Sequence, residues 1–251
     1  MIRENFGIHV FHAAEMERRL TPAQFAEFTA GKLSAQTADA VAEAMKNWAL
    51  ERGATHYCHW FQPLTGATAE KHDSFLYGQE NGHALLRLTG KQLIMGESDA
   101  SSFPTGGLRG TAYARGYTAW DMTSPVFIKE ETAGKILCIP TVFLSYDGAA
   151  LDLKTPLLRA MEALDRQGRR ITGLFGKPEG VHPLVGPEQE YFLVDKQMYA
   201  QRMDLRMTGR TLFGAKPPRG QELDDHYFGA IKPRVAAYMK ELDEELWKLG
   251  V

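Results

Sequence analysis

An α+β fold is compatible with the pattern of this 251-residue sequence, because helix-like and strand-like segments both occur along it. Apolar residues recur at helical spacing over residues 37–52, and a long apolar run covers residues 135–148. The chain is 44% hydrophobic and 24% charged, which is enough core material for one large domain or two modest ones. We therefore expect a globular protein of mixed secondary structure.

The first helices are predicted from their ends as well as from their periodicity. Thr21 stands at a cap position and Pro22 at the first helical position of one helix. A second helix is predicted over residues 37–52, with Trp48 on its apolar face and Gly53 placed to end it. We interpret that face as part of the core.

Strands are predicted in three places, and a glycine-rich stretch separates two of them. Residues 6–11 alternate weakly, and residues 84–97 predict a hairpin that turns near Thr89-Gly90. Residues 98–125 are rich in Gly, Ser and Thr, which is typical either of a mobile connector or of a functional loop. The apolar run at 135–148 predicts a buried strand, with Pro140 at a bulge or an edge.

After residue 154 the sequence pattern changes from strand-like to helical. This change predicts a domain boundary, which divides the chain into residues 1–154 and 155–251. The second part opens with an amphipathic helix for which Thr155 is the expected cap. It closes with a helix over residues 234–249, for which Gly250 is the natural end.

Charge and cysteine usage exclude several classes of protein. With 29 basic and 31 acidic residues the formal net charge is −2, so no basic face for nucleic acid is expected. The N-terminal twenty residues interrupt their apolar positions with charge, which predicts neither a signal peptide nor a membrane span. Cys58 and Cys138 form no disulfide framework or zinc-ribbon spacing, so we expect a reducing, cytoplasmic setting.

The segment "VGPEQEYFLVD" places Glu188 and Glu190 two positions apart in an otherwise apolar run. If residues 188–194 form a strand, both carboxylates lie on one face, roughly 7 Å apart. Their repulsion would be about 2 kcal/mol at an effective dielectric near 20 and below about 1 kcal/mol in open water. The pair is therefore either a solvated strand face or, if buried, a site for protons or for hard divalent cations such as Mg²⁺ or Mn²⁺.

A second group of possible ligands lies in "HYCHWFQPLTGATAEKHDSF", which contains His56, Cys58, His59 and His72. Their spacing matches no standard zinc pattern, and we interpret them as structural. The stretch "GRTLFGAKPP" fails as a phosphate loop, because Pro217 stands where a hydroxyl should coordinate magnesium.

Several long stretches together resemble the N-terminal part of a type III glutamine synthetase. They are "HWFQPLTGATAEKHDSF", "SSFPTGGLRGTAYARGYTAWD", "KTPLLRAMEAL", "GPEQEYFLVD" and "DDHYFGAIKPRV", and they occur in the order expected for that family. The resemblance implies a small β-grasp-type domain, residues 1–154, followed by the start of a catalytic domain with a curved antiparallel sheet and flanking helices.

The same resemblance implies a glutamate–ammonia ligase that uses ATP and proceeds through γ-glutamyl phosphate. In that family the two glutamates of the Glu-x-Glu strand hold separate divalent cations, which carries over to Glu188 and Glu190. An aspartate in an Asp-Gly-Ser-Ser stretch of a neighbouring subunit binds ammonium, which carries over to Asp99, although Ala100 replaces the usual glycine. The family assembles homo-oligomeric rings with active sites between subunits.

The family's chains continue well beyond the position of Val251, so the remaining metal ligands and the glutamate and phosphate sites are not in this sequence. We therefore expect an N-terminal fragment that is inactive alone. The alternative is a free-standing, non-catalytic module that assembles with or regulates a complete synthetase. A metal-dependent ligase of another type that binds through Glu188 and Glu190 is a third interpretation.

Overall fold

The computed structural model describes residues 2–64, 68–99, 115–176, 180–186, 193–212 and 230–251, with the backbone alone at 97–99 and 115. The chain divides into two compact units, residues 1–183 with 246–251 and residues 184–245. Helices and strands both occur, so the predicted α+β class is confirmed. The predicted boundary at residue 154 lies within the first unit and stays a prediction.

The N-terminal helices are α1 (Ile2–Asn5), α2 (Ala13–Arg19), α3 (Pro22–Thr29) and α4 (Ala35–Glu51). The predicted cap of α3 is confirmed: the Thr21 hydroxyl accepts from the Gln24 N–H, and the Gln24 side chain accepts from the Thr21 N–H. Gly53 adopts a φ of +86° just after α4, as expected for a residue that ends a helix. The strand predicted at 6–11 is wrong, because residues 6–9 are turns and only Val10 makes a bridge.

The rest of the first unit contains the strands and two further helices. These are β1 (Ala54–Phe61), β2 (Ala69–Ser74), β3 (Leu76–Glu80), β4 (His83–Leu86), α5 (Gly90–Ile94), β5 (Met95–Asp99), β6 (Arg115–Trp120), β7 (Phe127–Glu131), β8 (Gly134–Ser145) and α6 (Lys154–Thr172). Among the described strands the main sheet has the order β2-β1-β8-β6-β5, and β7 also pairs with β8. The β1–β8 pair is parallel and the other pairs of this sheet are antiparallel.

One face of this sheet carries the hydrophobic core, and α4 packs there. Met45 and Trp48 of α4 are buried in the same cluster as residues of β1 and β8, so the core role predicted for this helix is confirmed. Fully burying an aliphatic side chain contributes about 1.5–3 kcal/mol, which makes this cluster the main source of stability of the first unit. Its largest fully buried members are Met45, Trp48, Phe75, Leu93, Ile128, Leu137 and Ile139.

The hairpin predicted at 84–97 is wrong. Thr89 does not turn a hairpin but caps α5, since its hydroxyl accepts from the Gln92 N–H and the Gln92 side chain accepts from the Thr89 N–H. The real hairpin lies one strand earlier, where β3 and β4 meet at Asn81-Gly82 with φ values of +50° and +79°. Asn-Gly is a strong sequence signal for such a turn, because both residues must adopt positive φ.

Two local predictions around β8 are corrected. Pro140 lies in an interior strand, at the point where pairing to β7 ends at Cys138 and pairing to β6 begins at Thr141. A residue without an N–H is tolerated at that junction because neither ladder needs its donor there. Thr155 does not cap α6; its N–H donates to the buried carboxylate of Asp152 at 3.0 Å.

The second unit contains α7 (Lys196–Gln201), α8 (Met203–Thr208) and most of α9 (Pro233–Lys248). Asp195 caps α7 by accepting from the N–H of Gln197 at 2.9 Å. The predicted final helix is confirmed, and Gly250 follows it with a φ of +77°. None of the described helices is both long and apolar enough to cross a membrane.

Candidate functional site

Of the three predicted site residues, the structure describes only Asp99. Glu188 and Glu190 lie outside the described residues, as does most of the strand predicted for 188–194; residues 193–195 have no regular structure. Asp99 is the last residue of β5, and the structure gives its backbone position. The metal and ammonium roles of these three residues therefore stay predictions.

Asp99 lies at one end of the antiparallel pair formed by β5 and β6. It is the register partner of Arg115, the first residue of β6, and pairing continues from there to Met95 and Ala119. The intervening residues 100–114 lie outside the description. Because both ends of this segment are attached to neighbouring strands, the position of Asp99 is set by the sheet.

Strand β5 directly follows α5, and its Gly96 lies very close to side chains of β6 and β1. The N–H of Gly90, the first residue of α5, donates to Asp39 of α4 at 2.6 Å. A Cβ at Gly96 would lie 2.8 Å from Thr118 Oγ1 and 3.0 Å from the His59 ring, so this position has no room for a side chain. The Thr118 hydroxyl donates to the Gly96 carbonyl at 3.1 Å. These contacts fix the strand that ends at Asp99.

His59 is a buried, neutral side chain beneath that strand. Its Nε2 donates to the carbonyl of Gln92 at 2.8 Å, and its Nδ1 is buried without a hydrogen-bond partner. Burial lowers the pKa of His59, and the hydrogen bond to Gln92 opposes this only in part. The ring therefore supports the turn into β5 as a neutral donor, which agrees with the structural role inferred from the sequence.

A buried ion pair lies at the other end of β6. Asp121 accepts hydrogen bonds from Thr123 and Ser124, and Lys154 Nζ lies 2.7 Å from its Oδ2. Burial alone would raise the pKa of Asp121, but the hydrogen bonds from Lys154, Ser124 and Thr123 outweigh it and lower that pKa. All of these polar groups have partners, so the cluster connects β6 to α6 rather than offering a reactive carboxylate.

The structure also brings together two of the residues from the His/Cys stretch. Cys58, Glu70 and His72 place one possible ligand atom each within 4.8 Å of one another. The Cys58 thiol hydrogen-bonds to the Cys138 sulfur at 3.4 Å, which together with burial raises its pKa. His59 points to the opposite face of β1. Sequence reasoning missed Glu70; strand alternation opposite "HYCHWF" was the signal that could have found it.

Comparison with known proteins gives consistent matches. The family model described as "Glutamine synthetase type III N terminal" matches residues 2–160. A "Type-3 glutamine synthetase" of Dictyostelium discoideum is 52% identical over 226 residues, which are 89% of this chain and 31% of that protein. A "Glutamine synthetase" of Bacteroides fragilis (strain YCH46) is 49% identical over 256 residues, which are 100% of this chain and 35% of that protein.

A third relative, a "Glutamine synthetase" of Butyrivibrio fibrisolvens, is 44% identical over 191 residues, 75% of this chain and 27% of that protein. Among solved structures, a cryoEM structure of Plasmodium falciparum glutamine synthetase is similar with a TM-score of 0.38 and 17% identity, over 51% of this chain and 22% of that one. A likeness of that size carries no argument about the fold. The chain spans about a third of the length of the curated relatives it matches.

Proposed function

Since this chain belongs to the N-terminal family of type III glutamine synthetases, we propose that it is the N-terminal part of a glutamate–ammonia ligase. The ligase would amidate glutamate with ammonia, using ATP, through γ-glutamyl phosphate. The observation that carries the proposal is the 49% identity to the Bacteroides fragilis protein over 100% of this chain. The family match over residues 2–160 supports the same assignment.

Glu188 and Glu190 are the proposed ligands of two divalent cations, Mg²⁺ or Mn²⁺. Two carboxylates suit these ions because hard cations prefer oxygen ligands. The cations would neutralise charge that develops on the phosphoryl group during its transfer from ATP. Each glutamate is one ligand of its ion, so tight binding requires further ligands from the rest of the enzyme.

Asp99 is the proposed ammonium-binding residue. Its carboxylate would accept hydrogen bonds from ammonium and take a proton from it, which gives the neutral amine that can attack. The support for this role is its place at the paired ends of β5 and β6, where the sheet holds its backbone. In the proposed homo-oligomeric ring, Asp99 of one subunit serves the site of its neighbour.

We place the ligase in the cytoplasm and give it no nucleic-acid or membrane partner. Support comes from the near-neutral charge of the chain and from its two cysteines, which are both free thiols. The proposed partners are glutamate, ammonia, ATP and further copies of the same subunit.

The test is a chimera in which this chain replaces the matching N-terminal part of the Bacteroides fragilis protein. We expect ATP- and Mg²⁺-dependent formation of γ-glutamyl hydroxamate by the chimera and none by the 251-residue chain alone. Glu188→Gln and Glu190→Gln should each abolish it, and Asp99→Asn should lower the use of ammonia. Glu241→Gln, which changes an exposed carboxylate of α9, is the matched control.

Three results would contradict the proposal. A chimera that assembles into rings but has no activity would refute the ligase assignment. An active chimera unaffected at Glu188 and Glu190 would refute the metal roles. If the separate chain instead altered the activity of an intact synthetase on mixing, the non-catalytic module would replace the fragment interpretation.

A further inference from the structure

The face of the sheet opposite the core carries a mixed set of metal-ligand side chains. In the antiparallel β1–β2 pair, Cys58 is the register partner of His72 and Trp60 is the partner of Glu70. Residues two apart on a strand share a face, so Cys58, Glu70 and His72 all project from the same side. The pairing of two strands, rather than a sequence motif, brings the three together.

The ligand atoms of these residues are already close. Sγ of Cys58, an oxygen of Glu70 and a ring nitrogen of His72 lie within 4.8 Å of one another. His72 Nε2 and Glu70 Oε2 are 2.7 Å apart and form a hydrogen bond. In a tetrahedral zinc site with ordinary bond lengths the ligand atoms are about 3.4–3.6 Å apart. Small side-chain shifts would therefore convert this cluster into a coordination site.

We propose that Cys58, Glu70 and His72 bind a zinc-class divalent cation. On binding, the hydrogen bond between His72 and Glu70 gives way to bonds from both side chains to the cation, and the imidazole proton moves from Nε2 to Nδ1. The thiol proton of Cys58 leaves to solvent. A water molecule or the sulfur of Cys138, 3.4 Å from the Cys58 sulfur, completes the fourth position.

The donor set and its surroundings favour zinc over magnesium. Thiolate and imidazole are ligands of borderline-soft ions, whereas Mg²⁺ needs oxygen ligands. Lys129 Nζ lies 2.5 Å from Glu70 Oε1 and already neutralises much of the carboxylate charge on which a hard ion would depend. The same contact occupies Oε1 only, so Oε2 can exchange its hydrogen bond to His72 for a bond to the ion, and it orients the carboxylate as outer hydrogen bonds do in metal sites.

An ion can reach the site from solvent through His72. Cys58 is buried, Glu70 is half-buried and His72 is exposed. His72 also lines an open depression of about 450 Å³ together with His56 and Lys135. The ligands thus extend from the sheet interior to the surface.

The test uses Co²⁺ as a spectroscopic probe for zinc, added to the metal-free chain under reducing conditions. We expect one equivalent to produce the near-ultraviolet absorption of a sulfur–cobalt bond, and one equivalent of Zn²⁺ to abolish it. Cobalt held by carboxylates alone, as proposed for Glu188 and Glu190, would give no such band, so this readout is independent of the proposed ligase activity.

Variants decide which residues bind the ion. His72→Ala changes an exposed residue and should weaken cobalt binding at least tenfold, as should Glu70→Gln. His56→Ala, on the same face of β1 and lining the same depression, should leave it unchanged. No sulfur–cobalt band, or a band that survives both His72→Ala and Glu70→Gln, would overturn the proposal. Cys138→Ser tells whether that sulfur or water is the fourth ligand.

Discussion

Asp152 connects α6 to β8, and its replacement by alanine should break both connections. Its side chain is fully buried; Oδ1 accepts from the N–H of Thr155 and Oδ2 from the N–H of Phe143, each at 3.0 Å. Alanine would leave two buried N–H groups without an acceptor, at about 1–3 kcal/mol each. We therefore expect Asp152→Ala to lower the free energy of unfolding by about 2–6 kcal/mol.

Urea unfolding followed by tryptophan fluorescence measures this loss, because Trp48 and Trp120 lie in the same unit. With a urea dependence of about 3 kcal/mol per molar, the midpoint should fall by about 0.7–2 M. Asp152→Asn keeps one acceptor oxygen and should fall less. Glu17→Ala, at an exposed carboxylate of α2 in the same unit, is the control. An unchanged midpoint for Asp152→Ala would refute the reasoning.

Three further changes test the frame around β5 and β6, each by urea unfolding. Because burial lowers the pKa of His59 in the folded chain, the unfolded chain binds an extra proton below about pH 6.5. The free energy of unfolding should therefore fall on acidification, by at most about 1.4 kcal/mol per pH unit, and His59→Gln should reduce this fall. Gly90→Ala places a Cβ 2.6 Å from the α4 backbone and should lower the free energy of unfolding. Gly78→Ala is the control, because its Cβ would meet nothing within 4 Å. Equal losses of stability in the two variants would contradict the close contact at Gly90. Lys154→Met should lower the free energy of unfolding by about 1–2 kcal/mol near neutral pH. This difference from the unaltered chain should shrink in acid, as Asp121, whose pKa is lowered, becomes protonated. A difference that does not change with pH would argue against the ion pair.

The helices were the part of the fold that the sequence could predict. The cap at Thr21, the apolar face around Trp48 and the end at Gly250 are local signals, and the structure confirms all three. The strand at 135–148 was also found, because a buried interior strand is a continuous apolar run. Its neighbours were not, since strand pairing depends on residues far apart in sequence.

The error at residues 84–97 has a physical cause. Thr89-Gly90 was interpreted as a turn, but the same two residues can begin a helix when a glutamine follows at the third helical position. Gly90 is needed there for close contact with α4, where any Cβ would collide with Ala38. A contact across 51 residues selected the helix, and no local pattern contains that information.

The roles of the candidate site residues came from family resemblance alone, and they stay predictions. Nothing in the spacing of Asp99 distinguishes it from an ordinary surface aspartate, and its place opposite Arg115 follows from sheet pairing. The Cys58 cluster shows the reverse case. Its residues were visible, but 12 positions separate Cys58 from Glu70, and only the register of β1 and β2 makes them neighbours.

Burial differs between the two units in a way that bears on the proposed function. The first unit has a closed core around Trp48, whereas none of the described residues in 184–245 is buried. Apolar side chains such as Met203 and Met207 are largely exposed there. Ordering a residue costs about 1–2 kcal/mol of backbone entropy, which buried apolar area must offset. The second unit therefore needs packing partners from outside the described residues, as expected for the proposed N-terminal part of a longer ligase.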